Sequence, residues 1–275
     1  MKGVLLLHFD LAFKGLDNRC NSLQRLTEAL AQIANPPQWL FLENVEGFEN
    51  STASDALNRV LLCRTYSLER FLVCPTQIGI PNKRPRYYLL ATRGDPERSP
   101  ALGPICRQLP STLGPRLAVK LGAYLEPLTV AERHRYSCRF PLSESTMRVL
   151  DVVSGDGYVS CCFTKSYGKY AHGSGSLVAT LEPASASPLL EQLRTAKASG
   201  SGLEETLRQL EPRRFTPREV AGLLGFPHNF SFPDDLSDQR LYKVLGNSVS
   251  VPIVSSLMRH MLKSTSVDLC SDVST

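Results

Sequence analysis

Hydrophobic and polar positions in the first third of the chain alternate between helical and strand patterns. Apolar residues recur at i, i+3 and i+7 over 21–33, which predicts an amphipathic helix. The continuous apolar run 39–42 is typical of a strand buried on both faces, as in a parallel sheet. A second helix is expected over 56–62, and two further strands over 67–73 and 86–92. This order of elements predicts an α/β fold.

The rest of the chain gives less regular patterns. Residues 93–118 are rich in proline, which predicts an irregular linker. Residues 183–202 are rich in alanine, serine and proline, and we expect a mobile loop there. Helical spacing returns over 203–210, 217–224 and 251–262, so the C-terminal part is predicted to be helical.

Composition sets limits on the kind of protein. The chain has 275 residues, of which 42% are hydrophobic and 21% charged, so it can bury a sizeable core. Its net charge of +5 permits a polyanionic partner without requiring one. The cysteines form no C-x-x-C pair, so we expect no metal site. The apolar runs are too short for a signal peptide or a membrane span, so we expect a soluble cytoplasmic protein that can also be nuclear.

A carboxylate and an amide, Glu43 and Asn44, follow the apolar run 39–42. Ligand-binding groups in α/β folds lie at the carboxyl end of parallel strands, so Glu43 is a candidate functional residue. A solvated carboxylate at a strand end is the alternative, and the tripeptide alone does not decide between them.

Two arginines, Arg84 and Arg86, precede the predicted strand 86–92. Their spacing places them on one face of an extended chain. Planar guanidiniums suit carbonyl, phosphate or carboxylate oxygens. The alternative is a basic strand start that only improves solubility.

A glycine-rich stretch with basic and aromatic residues follows Cys162-Phe163-Thr164. The side chains that offer phosphate contacts and stacking faces, a mixture common in RNA binding, are Lys165, Tyr167, Lys169 and Tyr170. A glycine-rich loop with incidental aromatics is the alternative. Cys162 has no adjacent base in the sequence, so a packing role is expected rather than a nucleophilic one.

A capped helix and a glycine turn follow near the C-terminus. Thr216 at the N-cap, Pro217 at the first helical position and Glu219 two residues later predict a capping box. Further on, the turn Gly246-Asn247-Ser248 precedes the last predicted helix. Glycine permits a close turn there, and the polar side chains can bind a ligand or form an ordinary helix cap.

These four segments resemble, in order, the motifs of the cytosine-C5 methyltransferase family over about residues 15–262. Cys162-Phe163-Thr164 is similar to the signature of the branch that methylates tRNA. The resemblance implies an incomplete Rossmann-like methyltransferase sheet plus a small target-recognition domain. The domains it implies are the rear part of the catalytic domain at 1–95, linker and target recognition at 96–205, returning helices at 206–265 and a frayed tail at 266–275.

The resemblance also implies roles for the candidate residues. Glu43, Arg84 and Arg86 would hold the flipped cytosine during catalysis. S-adenosyl-L-methionine would be the cofactor, held by Asn247, Ser248 and Val249. The partner would be tRNA, with DNA as an alternative, and we expect a monomer. The residues implied to contact the substrate are Asn44, Cys162, Phe163, Thr164, Lys165 and Tyr167.

The family's nucleophile is a cysteine in a Pro-Cys turn upstream of the Glu43 strand, and no Pro-Cys occurs in this sequence. The family's glycine-rich loop on a strand–helix junction is also not found. Cys20 lies nearest, but its neighbours form neither that turn nor a strand end. We therefore expect this sequence to be N-terminally truncated relative to the family and to transfer no methyl group.

Three interpretations of function are kept. The first is a tRNA cytosine-C5 methyltransferase homologue. The second is a non-catalytic RNA-binding or regulatory fragment of the same family, and the third is a structural interaction module. Loss of the first strands would expose an apolar edge beside the strand 39–42, which residues 4–7 are hypothesised to cover.

Overall fold

The computed structural model describes residues 4–9, 20–94, 101–110, 117–170 and 172–268. The described strands are β1 (Val4–Phe9), β2 (Trp39–Val45), β3 (Tyr66–Val73), β4 (Asn82–Lys83), β5 (Arg86–Arg93), β6 (Leu102–Cys106), β7 (Val152–Val153), β8 (Ser160–Cys161), β9 (Leu177–Ala179) and β10 (Pro212–Arg214). The described α-helices are α1 (Cys20–Gln32), α2 (Thr52–Cys63), α3 (Val130–Tyr136), α4 (Glu144–Val149), α5 (Pro183–Ser199), α6 (Leu203–Leu210), α7 (Pro217–Leu223), α8 (Asp238–Gly246) and α9 (Val251–Asp268). The predicted α/β class is confirmed.

The chain divides into two compact units. The first comprises residues 1–77, 85–114 and 253–275, and the second comprises 78–84 and 115–252. The domain boundaries that the resemblance implied at 95, 205 and 265 stay a prediction. A short segment, 78–84, belongs with the second unit, and the chain rejoins the first unit only at Ile253.

The first unit is built on a mixed sheet with the order β1-β2-β5-β3-β6. β2 is parallel to β1 and antiparallel to β5, and its five central residues are buried. The register of β1 on β2 runs from Val4 opposite Trp39 to Phe9 opposite Asn44. The hypothesis that residues 4–7 cover the edge of β2 is therefore confirmed.

Two helices cover one face of this sheet as their apolar spacing predicts. Leu23 and Leu30 of α1 and Leu57 and Leu61 of α2 join a single buried cluster with residues of β2, β3 and β5. Ser51 caps α2 by accepting a hydrogen bond from the Ser54 backbone. The helices predicted over 21–33 and 56–62 are thereby confirmed within one or two residues at most boundaries.

The expectation of an irregular linker over 93–118 is wrong for its described middle part, because β6 pairs parallel with β3. Arg70 of β3 donates from Nε and Nη2 to the carbonyl oxygen of Gly103, at 3.0 and 2.8 Å. Residue 103 approaches β3 so closely that a Cβ would lie 2.9 Å from the carbonyl oxygen of Leu68. Packing against β3 therefore creates a strand that proline-rich composition does not reveal. Residues 95–100 and 111–116 lie outside the described residues.

The second unit contains two small sheets. β9 lies between β10, antiparallel to it, and β7, parallel to it. β4 pairs parallel with β8, Asn82 opposite Ser160 and Lys83 opposite Cys161. A core cluster that includes Phe163, Tyr167 and Phe215 joins β7 and β9 to α7 and α8.

The mobile loop expected over 183–202 is wrong, because α5 occupies most of it. Pro183 stands in the first turn, where its missing N–H costs nothing. Ala186, Leu193 and Ala196 are buried at helical spacing and pack in a cluster with α6. Burial of this face against α6 offsets the Pro188 inside the helix.

Candidate functional site

Glu43 lies near the end of β2 with only 1% of its surface exposed. Arg86, on the neighbouring strand β5, places Nε 3.4 Å from Glu43 Oε1. The Arg86 side chain is itself 14% exposed, so the pair is largely removed from water. A buried carboxylate is tolerated when a cation offsets its loss of hydration, and Arg86 supplies that cation. The structure thus brings Glu43 and Arg86 together, one of the arrangements that the arginine spacing suggested.

Asn44 follows Glu43 and is fully buried. Its Oδ1 accepts a hydrogen bond from the Val45 backbone N–H at 2.8 Å, which fixes the chain direction at the end of β2. Its Nδ2 is a buried donor with no hydrogen-bond partner among the residues that the structure describes. A buried donor without a partner costs free energy that a bound acceptor would recover.

Arg84, which directly follows β4, is buried, with 2% of its surface exposed. Its Nη1 lies 3.2 Å from Cys162 Sγ and 3.3 Å from the carbonyl oxygen of Phe163. Its Nη2 donates to the carbonyl oxygens of Gly246, at 3.3 Å, and Ser248. One guanidinium therefore fixes the Cys162 loop and the glycine turn together. These bonds hold the backbone in place, so most of the guanidinium is not available to a ligand. Its Nε has no hydrogen-bond partner among the described residues.

The loop after β8 divides its aromatic residues between core and surface. Phe163 and Tyr167 are 1% and 2% exposed, and their rings meet edge to face at 5.0 Å. The Tyr167 hydroxyl donates to the Ser176 carbonyl oxygen at 2.7 Å and accepts from the Phe215 N–H at 2.8 Å. Burial raises the pKa of that hydroxyl far above its ordinary value. The expectation that Tyr167 offers a stacking face is therefore wrong, because its ring is core.

The remaining residues of this loop are reachable from solvent. Lys165 is exposed, and Cys162 and Thr164 are half-buried. Thr164 donates its N–H to the Ser174 carbonyl oxygen at 2.8 Å, which closes the loop. Lys165 thus has the exposure that a phosphate contact requires.

The thiol of Cys161, beside this loop, is not set up as a nucleophile. Burial raises its pKa, and the nearby Asp151 carboxylate raises it further. A reactive cysteine needs the opposite, an electropositive setting that favours the thiolate. The side chain of Cys20 lies outside the described residues, so the structure adds nothing on that candidate.

The glycine turn is closely packed. An ideal Cβ on Gly246 would lie 2.1 Å from the Lys165 backbone nitrogen and 2.2 Å from the Thr164 carbonyl carbon. Only glycine permits this approach. Asn247 follows as the C-cap of α8, and its buried Oδ1 has no hydrogen-bond partner among the described residues. Ser248 and Val249 are half-buried beside it.

The capping box predicted at α7 is confirmed, with the reciprocal bonds between Thr216 and Glu219 both present. Sequence reasoning missed the partner of Glu219. Arg213 donates from Nη1 and Nη2 to its two carboxylate oxygens, each at 2.8 Å. Both side chains are almost fully buried. The sequence signal that could have predicted this pair is an arginine six residues before the glutamate of the predicted capping box.

Within the described ranges, no group of three histidine, cysteine, aspartate or glutamate side chains is arranged to hold a metal ion. No helix in the same ranges is long and apolar enough to cross a membrane.

Comparison with known proteins places this geometry in a family. The model of the C-5 cytosine-specific DNA methylase family matches residues 21–263. The tRNA (cytosine(38)-C(5))-methyltransferase of Bos taurus is 30% identical, over 88% of this chain and 75% of that protein. The DNA (cytosine-5)-methyltransferase of Dictyostelium discoideum is 28% identical, over 88% of this chain and 70% of that protein.

The fold agrees with a solved structure. A crystal structure of a variant of Spodoptera frugiperda DNMT2 superposes with a TM-score of 0.76 at 29% identity. The match covers 94% of this chain and 79% of that one. Together with the matched family model, which spans most of the sequence, this shows that the chain belongs to the cytosine-C5 methyltransferase family.

Proposed function

We propose that this chain binds a cytosine of tRNA through the base-recognition residues of its family and transfers no methyl group on its own. The observation that carries the first part is the buried Glu43 carboxylate beside Arg86. A carboxyl group held rigidly at a strand end can bind the N3 and amino edge of an unpaired cytosine. Rigid polar groups do this well because they lose little freedom on binding.

The preference for tRNA over DNA is supported by two features. Cys162-Phe163-Thr164 is similar to the signature of the tRNA-methylating branch, and the bovine relative is named for a tRNA cytosine. Cytosines in RNA loops are unpaired, so a protein can bind their edges at low cost. DNA is the second candidate, since one relative is named for it. We also propose a cytoplasmic location, where tRNA is available to the protein.

We propose that the chain carries part of the family's site for S-adenosyl-L-methionine, which supplies the methyl group in the family's reaction. The residues that would hold its amino-acid end are Asn247, Ser248 and Val249. The buried Asn247 Oδ1, an acceptor without a partner among the described residues, suits an ammonium group. Asn44 Nδ2 is a donor of the same kind that suits an oxygen of a ligand.

The second part of the proposal rests on the missing nucleophile. C5 of cytosine becomes nucleophilic only after a thiolate adds at C6. No Pro-Cys turn occurs in these 275 residues. Glu43 and Arg86 can stabilise charge on the ring but cannot form that bond. The 275 residues by themselves are thus proposed to bind RNA without methylating it.

A gel mobility-shift titration with unmodified tRNA tests the binding part. We expect a shift that weakens at least several-fold for Glu43→Ala when the loop cytosine is the bound base. A hairpin DNA of the same loop sequence should bind more weakly. Absence of any shift would favour the remaining alternative, a structural interaction module, and a stronger shift with DNA would favour the second substrate.

A further inference from the structure

A loop of the second unit, described at residues 163–170 and 172–175, is held rigidly from inside. Gly168 has φ +86°, and a Cβ there would lie 2.6 Å from the Tyr242 ring. Gly175 has φ +153°, and its Cβ would lie 2.7 Å from both Phe163 and Tyr167. Positive φ and missing side chains let the backbone lie directly on this aromatic core. The outward residues of the loop are therefore presented in one arrangement.

Tyr170 is the outward aromatic residue of this loop, with 52% of its surface exposed. Its N–H donates to the Ser166 carbonyl oxygen at 3.2 Å, and its own carbonyl oxygen accepts from Ser174 Oγ at 2.9 Å. Lys169 places Nζ 5.3 Å from the centre of the Tyr170 ring. No carboxylate among the described residues forms an ion pair with Lys169. The Tyr170 ring and the Lys169 cation thus form an exposed pair on a fixed backbone.

The charge near Tyr170 and Lys169 favours a polyanion that carries planar bases. Residues 157–181 contain no aspartate or glutamate, whereas Lys165 and Lys169 both lie in the loop. An aromatic face beside a lysine suits an unpaired nucleotide, whose base stacks and whose phosphate meets the cation. A duplex offers no unstacked base for such a face.

We propose that Tyr170 and Lys169 form a stacking platform for one unpaired base of the bound RNA. This inference rests on the proposed function and names a contact outside the residues that the resemblance supplies. Pre-organisation by the glycines reduces the entropy lost on binding, so the contact contributes to affinity.

Fluorescence anisotropy with a labelled RNA stem–loop tests the platform. Loss of one base–aromatic stack weakens binding by about tenfold, which is the expected effect of Tyr170→Ala. Tyr170→Phe keeps the ring and should bind within about twofold of wild type. Tyr158→Ala is the matched control, because Tyr158 is equally exposed at 50% but lies outside the loop. Its neighbour Lys120 is already paired with Asp156 at 2.6 Å.

A measurement on the unchanged chain guards against misfolded variants. Photocrosslinking with 5-iodouridine in the RNA loop should attach the RNA at Tyr170. The platform is supported by a crosslink there and by weakening in Tyr170→Ala alone. If wild type binds the stem–loop, but Tyr170→Ala binds equally well and no crosslink reaches Tyr170, the platform is overturned and the proposed function stands. If wild type does not bind at all, the proposed function fails first and the platform with it.

Discussion

Arg84 donates from Nη2 to the carbonyl oxygen of Gly246 across 3.3 Å, which links the segment after β4 to the end of α8. The same guanidinium contacts Cys162 Sγ and the carbonyl oxygen of Phe163. The resemblance assigns these two segments to different ligands, the base and the cofactor. A single buried cation therefore sets the positions of both, so a change at either segment should affect the other.

Replacing Arg84 with methionine should destabilise the second unit. Its backbone acceptors would lose a charged donor, and hydrogen bonds to charged groups are worth about 1.5–3 kcal/mol each. We expect the free energy of unfolding to fall by about 3 kcal/mol in urea denaturation followed by circular dichroism. Lys83→Met, at the exposed neighbouring cation, should change it by less than about 0.5 kcal/mol. Equal effects of the two substitutions would contradict the role given to Arg84.

Gly246→Ala should disrupt the contact between the turn and the Cys162 loop. The added Cβ would meet backbone atoms of Lys165 and Thr164 at 2.1 and 2.2 Å, which cannot rotate away. Overpacking of this kind costs about 1–3 kcal/mol. Thermal unfolding should therefore shift to lower temperature, whereas Gly94→Ala, where a Cβ meets nothing within 4 Å, should leave it nearly unchanged. An unchanged melting temperature for Gly246→Ala would argue against this packing.

Glu219→Gln tests the buried pair with Arg213. The substitution leaves the Arg213 cation buried without a counter-charge, and breaking such a pair typically costs about 3–5 kcal/mol. The comparison is Glu204→Gln, which breaks an exposed pair with Arg208 on α6. That pair should contribute less than about 1 kcal/mol. Chemical denaturation should rank the two variants in this order, and the reverse ranking would be inconsistent with a buried pair.

The sequence predicted the elements that local spacing determines and missed those that depend on contacts with other parts of the chain. Local spacing was enough for α1, α2 and α6, and an ordered set of motifs was enough for the family. β6 was missed because it is held by hydrogen bonds from Arg70 to the carbonyl oxygen of Gly103, and these two residues are distant in sequence. α5 was missed because alanine and serine masked its buried face.

The site shows the same division. The resemblance assigned Glu43 and Arg86 to the same base, and the structure brings the two side chains within 3.4 Å. The resemblance also assigned Tyr167 to the substrate, because a sequence motif does not tell a core tyrosine from an exposed one. The structure separates Tyr167, which is bonded at its hydroxyl, from Tyr170, which is half exposed.

Alkaline pH should destabilise the first unit through Tyr87. Burial raises the pKa of its hydroxyl from 10.0 to about 12. Because the folded-state pKa lies above the unfolded value, this group's stabilisation is complete below pH 10 and is lost as the pH rises through about 12. Tyr87→Phe cannot ionise, so its free energy of unfolding should fall less over that range than that of wild type. An identical pH dependence for wild type and Tyr87→Phe would contradict this assignment.

The central claim is that these 275 residues recognise a cytosine but do not methylate it. Incubation of the purified chain with tRNA and tritiated S-adenosyl-L-methionine, followed by counting of tritium in precipitated RNA, tests it most directly. Glu43→Gln, assayed in parallel, sets the background because it removes the carboxylate. The account predicts equal counts for the two proteins while wild type shifts the same tRNA in a gel. Tritium incorporation by wild type above the Glu43→Gln background would contradict it.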